Sequence, residues 1–324
     1  MNKIDLNFGG EYYHLAKKQK LEQRIAKQYN LPLKNVQIMN GSNGSLQFLI
    51  TVLSLRHWKK YKNKPTAIID VPNYFDTIKF LTASDFLVKE IIRGSNFSFP
   101  LRNFISSIKK TKPELIIITT PNNPTGIPLS DQEIKTIIEN SPLSSTILID
   151  RTCLNIKKEI SSKKILKTYK NKKIVILESF SKSHNMSADR ISFLVTNNKN
   201  LADYFYTFYD DGRVNTGALK KLEKNINKKE IIEKNKKQLK KSLTILKNQA
   251  KQNRNFWYTP SCSNFCLVKI PKKIAIGLLK KYNFATGKKF GLKNKNIYRL
   301  NISDAEKVRK IFNDYTLLTK KYEK

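Results

Sequence analysis

The stretch Lys173-Ile-Val-Ile-Leu-Glu-Ser-Phe-Ser-Lys-Ser-His-Asn-Met-Ser-Ala-Asp-Arg190 passes from an apolar run into a loop of hydroxyls, a lysine and an arginine. Lys173–Glu178 reads as a buried strand, short and rich in Ile, Val and Leu. Ser179 to Lys182 then stand at its carboxyl end, where open α/β sheets bind ligands. A lysine buried there is costly unless it is paired or chemically used. Desolvation favours the neutral amine, which is the nucleophile for Schiff-base chemistry. The hydroxyls of Ser179 and Ser181, with Arg190 eight residues after Lys182, make a plausible phosphate site. By itself the segment reads more readily as a solvated loop, since Ser and Lys are common.

Working outward, Thr119-Thr-Pro-Asn-Asn-Pro-Thr-Gly126 follows another apolar run, and its prolines and glycine predict a rigid turn presenting Asn122 and Asn123. Further buried strands are expected at Val36–Met39, Thr66–Val71, Leu115–Thr120, Thr146–Asp150 and Ile191–Thr196, with helices at Ser45–Trp58 and Asp131–Asn140. Strands alternating with helices predict an α/β domain with a mostly parallel sheet flanked by helices. After residue 199 the pattern changes to one long charged helix, Thr216–Gln252. A strand (Asn264–Ile270), a helix (Lys272–Tyr282), a strand (Asn296–Ile302) and a helix (Asp304–Tyr322) follow. The expected organisation is an N-terminal arm at 1–30, a large domain at 31–215 and a smaller α+β domain at 216–324. The Lys/Asn-rich patches Lys157–Lys173 and Asn225–Lys241 read as solvated faces and loops.

Composition narrows the class. The 324 residues carry 62 Lys and Arg against 25 Asp and Glu, a net charge of +37. Such a field attracts nucleic acid, anionic membrane or anionic small molecules. Lysines spread along the whole chain and an excess of Lys over Arg argue for a general compositional bias, and against nucleic acid as the partner. Cys153, Cys262 and Cys266 form no disulfide framework and no metal-ligand spacing. With no apolar run near the roughly 18 to 20 residues of a membrane span and no signal-peptide core, a cytoplasmic protein without a metal is expected.

Taken together, Asn122–Gly126 is similar to the asparagine-proline-threonine-glycine signature of fold-type I pyridoxal-5′-phosphate (PLP) aminotransferases, and Ser179–Arg190 resembles their Schiff-base lysine motif. The nearest groups are the histidinol-phosphate aminotransferases and the threonine-phosphate decarboxylases, and the resemblance runs from about Tyr13 to Ile302. It implies the aspartate-aminotransferase fold, with a seven-stranded type of sheet. It also implies PLP bound to Lys182. Gly41, Ser42 and Asn43 would hold the phosphate at a helix N-terminus, with Ser179, Ser181 and Arg190. Tyr74 would stack on the pyridine, Asn123 would fix the ring and touch substrate, and Asp150 would pair with the ring nitrogen. Arg299 would grip the substrate carboxylate, and Tyr13 would reach the cofactor phosphate of a second subunit in a homodimer.

The chain departs from that pattern at Asp150-Arg-Thr-Cys153, where Cys153 stands for a tyrosine, and at Ala188 and Ser192, where glycines are usual. The expected activity is transfer of an amino group from an amino acid or amino-phosphate to a 2-oxo acid. Catalysis would rest on Lys182 and Asp150. Two other readings stand: a decarboxylase or other Cα-reaction enzyme of the same fold, and a degenerate basic nucleic-acid-binding protein.

Overall fold

The computed structural model describes residues 13–209, 213–253, 256–294 and 296–322. Strands β1 (Val36–Met39), β2 (Thr66–Val71), β3 (Leu87–Ile92), β4 (Leu115–Thr119), β5 (Thr146–Arg151), β6 (Lys173–Ser179) and β7 (Ser192–Thr196) form one sheet. Its order is β1-β7-β6-β5-β4-β2-β3. The pairs from β3 through β6 are parallel, and β7 runs antiparallel to both neighbours.

Both faces of the central strands are apolar, which is why they read as continuous runs. Ile116, Ile118, Ile147, Ile149, Ile174 and Ile176 belong to the core on one face. Ile69, Leu115, Ile117, Leu148, Val175 and Leu177 belong to the core on the other. Each fully buried aliphatic side chain contributes roughly 1.5–3 kcal/mol. Helices α2 (Gly41–Tyr61), α3 (Phe75–Ala83) and α8 (Lys199–Phe208) lie on the second face. The first face carries α1 (Tyr13–Tyr29), α4 (Leu101–Thr111), α5 (Asp131–Asn140), α6 (Ser162–Thr168) and α9 (Thr216–Asn225). The one-turn helix α7 (Phe180–Ser183) continues directly from β6.

A second core surrounds an antiparallel sheet of β8 (Trp257–Tyr258), β9 (Phe265–Lys269), β10 (Ala285–Thr286) and β11 (Ile297–Asn301), in the order β10-β11-β9-β8. Helices α10 (Lys229–Gln252), α11 (Lys272–Leu279) and α12 (Ala305–Tyr322) pack on it.

The mostly parallel large sheet and the separate α+β sheet are as expected. Three local expectations need correction. The charged helix expected over Thr216–Gln252 is broken into α9 and α10 at Ile226-Asn227-Lys228, and Ile226 packs against the large core. The basic patches taken for loops and solvated faces contain α6 and the first half of α10. β3 was not anticipated. It is an edge strand in which only Ile91 is buried, so it lacks the apolar run that marks its neighbours.

Candidate active site

The carboxyl ends of the large sheet's strands open into a cavity of about 440 Å³ that the small sheet covers. Ser42, Asn43, Tyr74, Asn123, Asp150, Ser179, Ser181, Lys182, Arg190 and Arg299 all line it. These residues come from segments up to 257 positions apart in sequence. Of the remaining expected residues, Gly41 lies just beneath, and the side chain of Tyr13 falls outside the described residues.

At one end, α2 starts at Gly41, and Asn40 supplies no side-chain cap to its first turn. Gly41 has φ +67°, and a Cβ there would stand 2.7 Å from Nη2 of Arg190. Only glycine lets the guanidinium lie against the backbone, beside uncapped N–H groups that favour an anion. The sole hydrogen bond that Arg190 donates among the described residues is a long one, 3.4 Å, to the Ser187 carbonyl. Ser181 Oγ is buried without a partner. The hydroxyl that replaces a glycine at Ser192 meets Ser45 Oγ at 2.8 Å, so the α2–β7 contact accommodates it.

Asp150 closes β5, 5% exposed. Its Oδ1 accepts from Thr152 N at 2.9 Å and Thr152 Oγ1 at 2.7 Å, whereas Oδ2 accepts nothing from the described protein. Burial raises its pKa, and the two Thr152 bonds only partly offset that. An acid so placed is ready for a cationic ligand. Cys153 lies beside it. Burial, then the charge of Asp150, pushes the thiol up to about 12, so it is a weak neutral donor. Lys182 follows Ser179, whose hydroxyl accepts from Ser181 N at 3.1 Å and starts α7. The Lys182 carbonyl accepts from Asn235 Nδ2 at 3.3 Å, tying the turn to α10, while the Lys182 amine has no partner among the described residues.

Arg299 projects from β11 and donates to Asn123 Oδ1 at 3.1 Å. Its guanidinium carbon lies 5.3 Å from the ring centres of both Phe265 and Phe290. Nε is buried without a partner, and burial lowers the pKa. Tyr74 donates to Asp76 Oδ2 at 2.9 Å, and Asn43 Nδ2 donates to the same oxygen at 3.0 Å. Burial is the main cause that pushes the Tyr74 phenol up to about 12, keeping it protonated.

Beneath the loops bearing Tyr74 and Asn123 lies a buried polar network. Arg93 Nε donates to Asp70 Oδ2 at 2.6 Å. Asn122 Nδ2 donates to that oxygen at 3.3 Å and to the Pro72 carbonyl at 3.1 Å. Asn73 Oδ1 accepts from Tyr74 N at 2.7 Å and from Thr119 Oγ1 at 3.0 Å.

A family model, "Aminotransferase class I and II", matches residues 9–313. The chain belongs to that family. A histidinol-phosphate aminotransferase of Sulfurimonas denitrificans is 27% identical over 191 residues, 57% of this chain and 49% of that protein. The chain thus spans about half the length of that relative. The solved histidinol-phosphate aminotransferase of Clostridium acetobutylicum shares the fold, with a TM-score of 0.79 and 19% identity over 96% of this chain and 90% of that one. L-Threonine-O-3-phosphate decarboxylase of Porphyromonas gingivalis shares it too, at 0.73 and 17% over 93% and 90%.

Phe75, Thr152, Lys289 and Asn301 are among the cavity residues that sequence reasoning did not assign. Thr152 and Phe75 were within reach, being next to motif residues. Lys289 and Asn301 carry no local signal, since Lys and Asn abound throughout the chain.

Proposed function

We propose that this chain is a PLP-dependent aminotransferase moving the amino group of an amino acid or amino-phosphate to a 2-oxo acid. The carrying observation is the charge layout of the cavity. Among the described residues Asp150 is the one acid lining it, against Lys182, Arg190, Lys289 and Arg299. Among the described residues none of these four cations has a carboxylate partner. The residues fit PLP: the Gly41–Arg190 cradle and the orphaned Ser181 hydroxyl suit a phosphate, and the free Oδ2 of Asp150 suits a pyridine N–H. When bound, PLP supplies an electron sink for the bond broken at the substrate's α-carbon.

The protein's own contributions follow from placement. Arg190, Ser179, Ser181 and the first N–H groups of α2 would hold the phosphate. Asp150 would pair with the ring nitrogen. Lys182 would hold the cofactor, and its Nζ would carry the proton taken from the substrate's Cα. Arg299, donating to Asn123 and 5.3 Å from two aromatic ring centres, would bind the substrate carboxylate. Loading the protein with PLP, reducing with borohydride and mapping the labelled peptide tests this. Label on Lys182, and loss of the visible band with amino donors, are expected. A protein that takes up no PLP overturns the reading.

The likeness to a phosphothreonine decarboxylase keeps a second reaction in view, and carbon dioxide release from the same donors separates the two. We also propose a homodimer, supported by a 720 Å³ cavity on the outer face of α2 and α8. It runs from Asn40 and Gly44, beside the phosphate loop, to the exposed Leu55 and Phe208. No described helix is long and apolar enough to cross a membrane.

A further inference from the structure

The Lys182 amine meets no partner among the described residues, so the backbone turn that carries it sets where it points. Every carbonyl of that turn accepts a hydrogen bond. The Ser179 carbonyl accepts from Ser183 Oγ at 3.1 Å, the Phe180 carbonyl from His184 N at 3.0 Å, and the Ser181 carbonyl from Ser187 Oγ at 2.9 Å. These three bonds stay within the turn and the loop after it. The Lys182 and Ser183 carbonyls accept instead from Asn235 Nδ2, at 3.3 and 2.9 Å, across 53 and 52 positions of sequence. Asn235 stands on α10, whose Leu239 and Leu246 belong to the core around the small sheet. Its amide is itself aimed by a reciprocal pair with Asn185. Asn235 Nδ2 donates to Asn185 Oδ1 at 3.0 Å, and Asn185 Nδ2 donates back to Asn235 Oδ1 at 3.2 Å. Asn185 holds φ +58°, a left-handed conformation that asparagine tolerates better than most residues. Close packing does not supply this hold. On the side of Asn235 the turn faces a second cavity of about 360 Å³, lined by Lys182, Asn185, Asn235 and Ser303 among others. Lys182 lines both this cavity and the main one, so the setting of its turn decides which of the two the amine serves.

We propose that Asn235 is a positioning residue for Lys182: it ties the lysine-bearing turn to a helix of the small-sheet core and so keeps the amine aimed into the main cavity. This rests on the transaminase reading, in which Lys182 captures PLP. Without Asn235, the Lys182 and Ser183 carbonyls would turn to solvent in the second cavity, and the turn would be free to rotate with them. A reacting group displaced by about 1 Å loses rate steeply, even when the change that displaces it lies away from the chemistry.

The test follows two quantities in the full chain. One is the rate at which added PLP develops its visible band. The other is hydrogen exchange at the amides of Phe180, His184 and Met186 in the PLP-free protein. Asn235→Leu keeps a branched side chain and removes both donors. Asn235→Gln keeps the amide on a longer arm, and carries the comparison if the leucine variant does not fold. Leu246→Ala weakens the same helix inside the small core, away from the turn. Asn235→Leu should slow PLP capture about tenfold and speed exchange at the three amides. Asn235→Gln should lose less on both counts. Leu246→Ala should lower the melting temperature with neither effect. Normal capture by Asn235→Leu overturns the proposal. So does an equal slowing by Leu246→Ala, which would make Asn235 a fold residue only. If the unaltered protein takes up no PLP, the transaminase reading fails and exchange decides Asn235 separately. Faster exchange in Asn235→Leu then keeps the tie between turn and helix, and unchanged exchange removes it.

Discussion

Asp150 carries two opposite demands. Its carboxylate is buried with one oxygen unbonded, so the ionised form is strained in the cofactor-free protein. Because the folded pKa is raised, the folded state holds the proton more tightly than the unfolded one. The contribution is favourable below the folded pKa and is lost as pH rises through it from the ordinary carboxylate range. Asp150→Asn should therefore raise the melting temperature of the PLP-free protein at pH 7. In the loaded protein the same change removes the proposed partner of the ring nitrogen and should lower turnover about a thousandfold, or about 4 kcal/mol of barrier. Melting curves and single-turnover rates on one variant check both signs. Near-normal turnover would make Asp150 a structural cap. In the same cavity, Arg299→Lys loses a planar fork that lies 5.3 Å from the ring centres of Phe265 and Phe290 and donates to Asn123. Donor KM should rise by the equivalent of roughly 1.5–3 kcal/mol, with PLP still bound. Bleaching of the cofactor instead would show that Arg299 supports the fold and not the substrate.

Among the elements, the turn after β4 matters most, because it joins the two sheets at the cavity. Gly126 has φ +72°, and a Cβ there would fall 2.4 Å from the Phe265 carbonyl oxygen and 2.0 Å from Ser261 Oγ. Rotating the Ser261 hydroxyl would leave its Cβ 2.6 Å away, and the backbone of β9 cannot step aside, so a side chain would push the turn off the small sheet. Gly126→Ala should cost on the order of 1–3 kcal/mol from conformation alone. It should also raise donor KM by displacing Asn123 from Arg299. Thermal melts alongside donor titrations would show this, and unchanged values for both would mean that the contact is slack. The same turn rests on the Asp70–Arg93 pair, whose side chains are fully buried. Asp70→Ala would leave a buried guanidinium without its carboxylate and take one acceptor each from Asn73 Nδ2 and Asn122 Nδ2. A loss of about 3–5 kcal/mol is expected from denaturant unfolding.

For the whole molecule, the net charge of +37 and the cationic cavity act in the same direction. A positive field raises the local concentration of anionic substrates and is screened over about 8 Å at 0.15 M salt. KM for an anionic donor should rise with ionic strength while the chemical step stays constant. Salt titration of steady-state kinetics checks this, and a salt-independent KM would show that the surface charge plays no part in capture.

Much of this was legible in the sequence, and the reason lies in chain-local physics. Strands buried on both faces must be apolar at every position, so Leu115–Thr119, Thr146–Arg151 and Lys173–Ser179 showed themselves within a residue or two. Strand ends are where a parallel sheet exposes functional side chains, so Asp150, Lys182 and Asn123 could be placed by the runs before them. Edge strand β3 stayed hidden because solvent covers most of its side chains and relaxes the pattern. The break between α9 and α10 was hidden because charge and helical period continue across it, while the packing of Ile226 decides it. Lys289 lies further from legibility. It follows no motif, and it lines the site only because the 287–290 turn and β11 meet the large sheet over one cavity. The sequence by itself determined the elements and the order of the chemical groups, since local hydrophobicity and turn chemistry act within a few residues. Only the tertiary structure decided which of the 62 basic residues share a desolvated space with one acid, because that depends on distances between segments far apart in the chain.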